Sequence, residues 1–105
     1  MTKFNEDIIQ RIKSDFKDLA DTVIAILQES ISKTDYLKTE RIIRCIIYLA
    51  HGDISKLRKY IDNAIFDPRD VMLWAEYENL KADQTPKRIR DFNKTFEKCT
   101  DNVKE

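Results

Sequence analysis

Glycine is nearly missing from this chain: Gly52 is the only one in 105 residues. That excludes the glycine-rich phosphate loops of both the dinucleotide and P-loop kinds, which need several backbone positions free of Cβ. Histidine is equally scarce. His51 alone cannot supply an HExxH motif or a two-histidine metal centre, and His51 with Asp53 falls short of the three or four ligands of a zinc site. With only Pro68 and Pro86 as prolines, collagen-like and linker-like chains are excluded as well. The two cysteines, Cys45 and Cys99, have no CxxC or metal-like spacing, occupy apolar positions, and read as buried thiols.

Net charge is absent too. Nineteen Lys and Arg balance nineteen Asp and Glu, which leaves no overall footprint for nucleic acid or an anionic membrane. The longest stretches without a charge, residues 22–28 and 45–52, fall far short of the ~20 residues that span a bilayer. At the N-terminus, Glu6 and Asp7 stand where a signal peptide needs an apolar run. The expectation is a cytoplasmic protein without a membrane partner. Intrinsic disorder is excluded by a hydrophobic content of 42% in a chain of zero net charge.

What is present is helical spacing. No stretch alternates with period two, and no Asn-Gly or Asp-Gly marks a hairpin. Ile8, Ile12, Phe16, Leu19, Val23, Ile26, Leu27 and Ile31 fall on one stripe at 100° per residue, predicting helix over 4–32. Such a rod would be ~42 Å long, so it either breaks near Ser14-Asp15 or projects towards a partner. Thr34 or Asp35 is expected to cap a second helix, 36–50, that stops at Gly52. Its apolar residues cover half the circumference, with Glu40, Arg41 and Arg44 opposite, so it belongs at the centre.

Asp53 is expected to cap a third helix, 54–66, with Ile54, Leu57, Ile61, Ala64 and Ile65 inward. Asp67-Pro68 opens a fourth, 68–81, combining a side-chain acceptor with a residue whose φ is already helical. Thr85-Pro86 repeats the signal for a fifth, 86–102, where Ile89, Phe92, Phe96, Cys99 and Val103 step by three and four. The expected architecture is an all-α, compact, single-domain bundle of about five helices spanning residues 1–105. Its radius of gyration should be near ~13 Å.

Chemical motifs are sparse. Cys45 lies six residues before His51, too far round a helix for contact, and a reactive thiol needs an electropositive, partly exposed setting. His51 suits a helix C-terminus, where imidazole can hydrogen-bond a carbonyl. Asp67 with Asp70, and Asp15, Asp18 and Asp21, are the carboxylates a Mg²⁺-dependent enzyme would use, yet capping or a solvated face explains each series. Lys87, Arg88 and Arg90, with Lys56, Arg58 and Lys59, are what a nucleic-acid-binding domain would use. A helix-turn-helix over 42–62 is disfavoured by Tyr48 where a small residue is wanted and by Arg58 where an apolar one is. No catalytic residue, metal ligand or cofactor is expected.

The remaining signal lies in residues 71–80, whose apolar side chains encircle the helix, in a segment (67–84) of charge −3. Because the central place belongs to the Cys45 helix, part of this circumference should face outward. Met72, Trp74 and Tyr77, rimmed by Glu76 and Arg69, form the candidate partner-binding patch, since Trp and Tyr anchors with charged surroundings compose many protein interfaces. The functional expectation is a small non-catalytic interaction module (adaptor, inhibitor or immunity-type partner, or a self-associating protein). The alternatives are the acidic Mg²⁺-dependent enzyme and the nucleic-acid binder.

Overall fold

A computed structural model describes residues 4–33, 39–78 and 87–99. Among the described residues five α-helices follow one another: α1 (Glu6–Phe16), α2 (Ala20–Lys33), α3 (Glu40–Ala50), α4 (Ile54–Phe66) and α5 (Pro68–Glu76). A two-residue antiparallel ladder, β1 (Tyr77–Glu78) with β2 (Lys87–Arg88), closes the order. The all-α class is as expected, and the radius of gyration is 13.5 Å.

The long first helix breaks just beyond the Ser14-Asp15 pair, α1 ending at Phe16. Lys17 takes φ 51° and ψ −114°, and a 3-10 turn (Lys17–Leu19) reverses the chain so that α1 and α2 pack on each other. Folding back lets both halves of the apolar stripe join one core cluster. Ile8, Ile12, Phe16, Val23, Leu27 and Ile31 are buried, whereas Leu19, caught in the turn, is 45% exposed and Ala20 takes the inward place.

Helix α3 is central, packed against α1, α4 and α5. It starts at Glu40 with Thr39 extended as N-cap; the proposed caps Thr34 and Asp35, and residues 36–38, lie outside the described residues. It ends with His51 in the left-handed region, followed by Gly52 at φ 77°. A Cβ on Gly52 would sit 2.6 Å from the Asp15 carbonyl oxygen, so α1 can approach the α3–α4 turn only because Gly52 has none. Asp53 caps α4 through the amides of Ser55 and Lys56, and Asp67 caps α5 through that of Arg69, with Pro68 in the first turn. These local starts match the expectation.

The C-terminal third does not. Helix α5 stops at Glu76, short of the expected 81, and the expected helix 86–102 is replaced by β2 and a series of turns through residue 99. The physical cause is competition for backbone partners. The Glu76 carbonyl accepts from the amides of Ile89 (2.7 Å) and Arg90 (3.2 Å), and Tyr77 pairs with Arg88, so α5 is closed off. The amides of Phe92 and Phe96 find side-chain carboxylates elsewhere in the fold instead of helical carbonyls. Phe92 and Cys99 are buried and Phe96 packs on the core, so the apolar positions still turn inward, though not along a helix. Val103 lies outside the described residues.

Candidate functional site

On α5 the buried side is Val71, Ala75 and Glu76. At 100° per residue, Leu73 and Trp74 fall on the opposite side, flanking Asp70. Each is 39% exposed. Trp74 meets Tyr60 of α4 edge-on, ring centroids 6.1 Å apart, and Lys59 Nζ lies 5.8 Å from the Tyr60 centroid. At the end of α4, Phe66 is 89% exposed. Leu73 and Trp74 on α5 and Phe66 at the end of α4 are thus exposed, as are Arg69 and Asp70.

The five sequence-predicted site residues divide. Trp74 lies outward as expected, Met72 and Tyr77 are half-buried, and Arg69 is exposed but turned onto its own cap residue, Asp67, at 3.1 Å. That pairing holds the Asp67 carboxyl below its ordinary value and raises the Arg69 guanidinium. Glu76 is not a rim acid: its side chain is wholly buried. Two residues absent from the expected set are exposed as well: Phe66 more than Trp74, and Leu73 to the same fraction as Trp74. Leu73 was detectable as part of the encircling apolar run, and Phe66 as an aromatic directly before a helix break.

Beneath this face lies a charged centre that sequence reasoning missed. Both carboxylate oxygens of Glu76 accept from Arg41, and Oε2 also accepts from the Phe92 amide at 2.8 Å, with Arg88 Nη2 3.5 Å from Oε1. Arg44, expected on a polar face, is 3% exposed. It donates to both Asp7 oxygens (2.8 and 2.9 Å) and, through Nη1, to the Phe92 carbonyl at 3.1 Å. Asp7 Oδ2 accepts in turn from the Phe96 amide at 3.1 Å. Burial pushes the Asp7 carboxyl up, but hydrogen bonds from Arg44, Asn5 and Phe96 and the charge of Arg44 outweigh it, leaving Asp7 below its ordinary 3.8. The available signal was Arg41 and Arg44 on a helix too apolar to have a solvated side.

The other candidate chemistries are not assembled. Within the expected basic cluster two members are engaged by the fold: Arg88 bonds Asp91 at 2.9 Å, and Arg90 donates to the Ala75 carbonyl at 2.8 Å while its guanidinium lies 4.4 Å from the Tyr48 ring centroid. Asp15 is paired with Arg11, and the break at Phe16 separates it from Asp18 and Asp21. Among the described residues, no three His, Cys, Asp or Glu side chains are grouped to hold a metal ion. Burial pushes the Cys45 thiol far up, the opposite of nucleophile activation. His51 is exposed and stands edge-on to Tyr48 at 5.5 Å. Among the described residues, no helix is long and apolar enough to cross a membrane.

The chain matches no protein-family model, no curated protein and no solved structure.

Proposed function

We propose that this protein is a non-catalytic interaction module that docks another protein, or a second copy of itself, on the outer face of α5 and the adjoining end of α4. One observation carries the reading: Trp74 and Leu73 are each 39% exposed and Phe66 is 89% exposed. Isolated exposed apolar residues are ordinary, but an exposed Trp with neighbouring Leu and Phe in a charged surround has the composition of an interface anchor. Arg69 and Asp70 supply the polar rim. A cytoplasmic, reducing setting fits Cys45 and Cys99, two buried thiols outside any disulfide.

The test compares the wild-type chain with Phe66→Ser and Trp74→Ala variants by light scattering and by affinity recovery of partners, with circular dichroism as the control for folding. Loss of association at unchanged helicity supports docking through this face. Unchanged association, or collapse of the fold in Trp74→Ala with Phe66→Ser fully active, removes the reading.

A further inference from the structure

Residues 87–99 lie over α1, α3 and α5 as a strap. Bonds within it include Asp91 N–H to the Cys99 carbonyl (2.7 Å), Lys94 N–H to the Asp91 carbonyl, Lys98 N–H to the Thr95 carbonyl, Arg88 to the Arg90 carbonyl and the Asp91 carboxylate, Asn93 N–H to the same carboxylate, and the Cys99 thiol to the Phe96 carbonyl. Its attachment to the helices is made by a separate set of contacts. Glu76, Arg44 and Asp7 grip the backbone of Phe92 and Phe96, Arg90 bonds Ala75, and the Phe92 ring packs on Tyr48 with centroids 5.4 Å apart. Among the described residues, the buried apolar core takes only Phe92 and Cys99 from the strap; the rest come from residues 4–75, whose helices α3, α4 and α5 pack on one another directly.

The charges that hold the strap are also paired with each other, Arg41 with Glu76 and Arg44 with Asp7. Removing the strap therefore strands no lone buried charge, which is the costly outcome of breaking such a centre. What it uncovers is a groove floored by Tyr48 and ringed by these two ion pairs, with hydrogen-bond groups already placed for a peptide main chain.

We propose that residues 87–99 are a releasable cover, which leaves as one unit while helices α1–α5 stay folded and so gates the Tyr48 groove. This gate is on the buried side of α5 and does not rest on docking at the outer face.

The chain carries its own reporters, since Cys99 lies in the strap and Cys45 lies in α3. Pulse alkylation with iodoacetamide, read by peptide-resolved mass spectrometry and normalised to the unfolded chain, measures the opening of each in the native full-length protein. Release predicts that Cys99 labels at least about ten-fold faster than Cys45, with a denaturant slope above zero but below that of Cys45, because sub-global opening exposes less surface than unfolding. Asp91→Ala loosens strap contacts alone and should raise the Cys99-to-Cys45 rate ratio by about five-fold or more. A common rate and slope for the two thiols would mean that the strap opens only with the whole domain. A Cys99 rate indifferent to both denaturant and Asp91→Ala would mean direct reagent access. Either result overturns the proposal.

Discussion

Glu76 and Phe92, sixteen positions apart, share a 2.8 Å hydrogen bond in which a fully buried carboxylate accepts from a main-chain amide. On the other side of the same residue, the Phe92 carbonyl accepts from Arg44, so Phe92 is held between buried charges of opposite sign. A main-chain N–H and C=O taken out of water need partners, and here side chains provide what a helix or sheet would have supplied. Glu76→Ala is expected to cost about 3–5 kcal/mol, since it leaves Arg41 and the Phe92 amide without an acceptor. The Glu76→Ala/Arg41→Ala pair should show a coupling of about 1–3 kcal/mol in a double-mutant cycle from urea unfolding.

Acid should weaken the Asp7 end of the same centre. Because the folded-state carboxyl titrates below its ordinary 3.8, its stabilisation is complete above that value and disappears as pH falls through the lower folded value. Asp91 is shifted in the same direction: burial raises it, but the Asn93 amide and the charge of Arg88 bring it down further. Urea midpoints measured from about pH 5 down to about pH 2 should fall, and the Asp7→Asn variant should fall less steeply over that window.

Gly52→Ala should be among the most damaging small substitutions. It places a side chain at φ 77° and drives its Cβ to 2.6 Å from the Asp15 carbonyl, a backbone atom that cannot swing away. A loss of about 2–4 kcal/mol combines the left-handed cost with overpacking. Thermal unfolding of the variant measures it directly.

Lys17 presents the reverse case. At φ 51° and ψ −114° it occupies backbone space that suits glycine, on an exposed turn where its side chain is not buried. Lys17→Gly is expected to raise stability by about 1 kcal/mol, relief of strain exceeding the greater freedom of glycine in the unfolded chain. A lower denaturation midpoint would show that the turn tolerates lysine without strain.

The parts of this fold legible in the sequence are those governed by a few adjacent residues. Asp53 and Asp67-Pro68 start helices where expected because a cap needs only its own first turn. Ile8, Ile12, Val23 and Leu27 face inward because the stripe belongs to one chain segment. The C-terminal segment was misread because Phe92, Phe96 and Cys99 have helical spacing, whereas the partners of its amides, Glu76 and Asp7, are distant in the chain. At the candidate surface, counting available core pointed to some of Met72, Trp74 and Tyr77 lying outward, without saying which; Trp74 is the exposed one. The burial of Glu76 did not follow from that count, because it depends on Arg41 reaching across from another helix.

Asp7 and the Phe96 amide, 89 positions apart, meet in one hydrogen bond. Synthesis proceeds from the N-terminus at about 5–20 residues per second, so a nascent chain carries Asp7 for several seconds before Phe96 exists. Ribosome-bound intermediates of this protein therefore hold Tyr48 and its ring of charges uncovered. Residues 87–99, which follow all five described helices in the chain, are the ones that seal it.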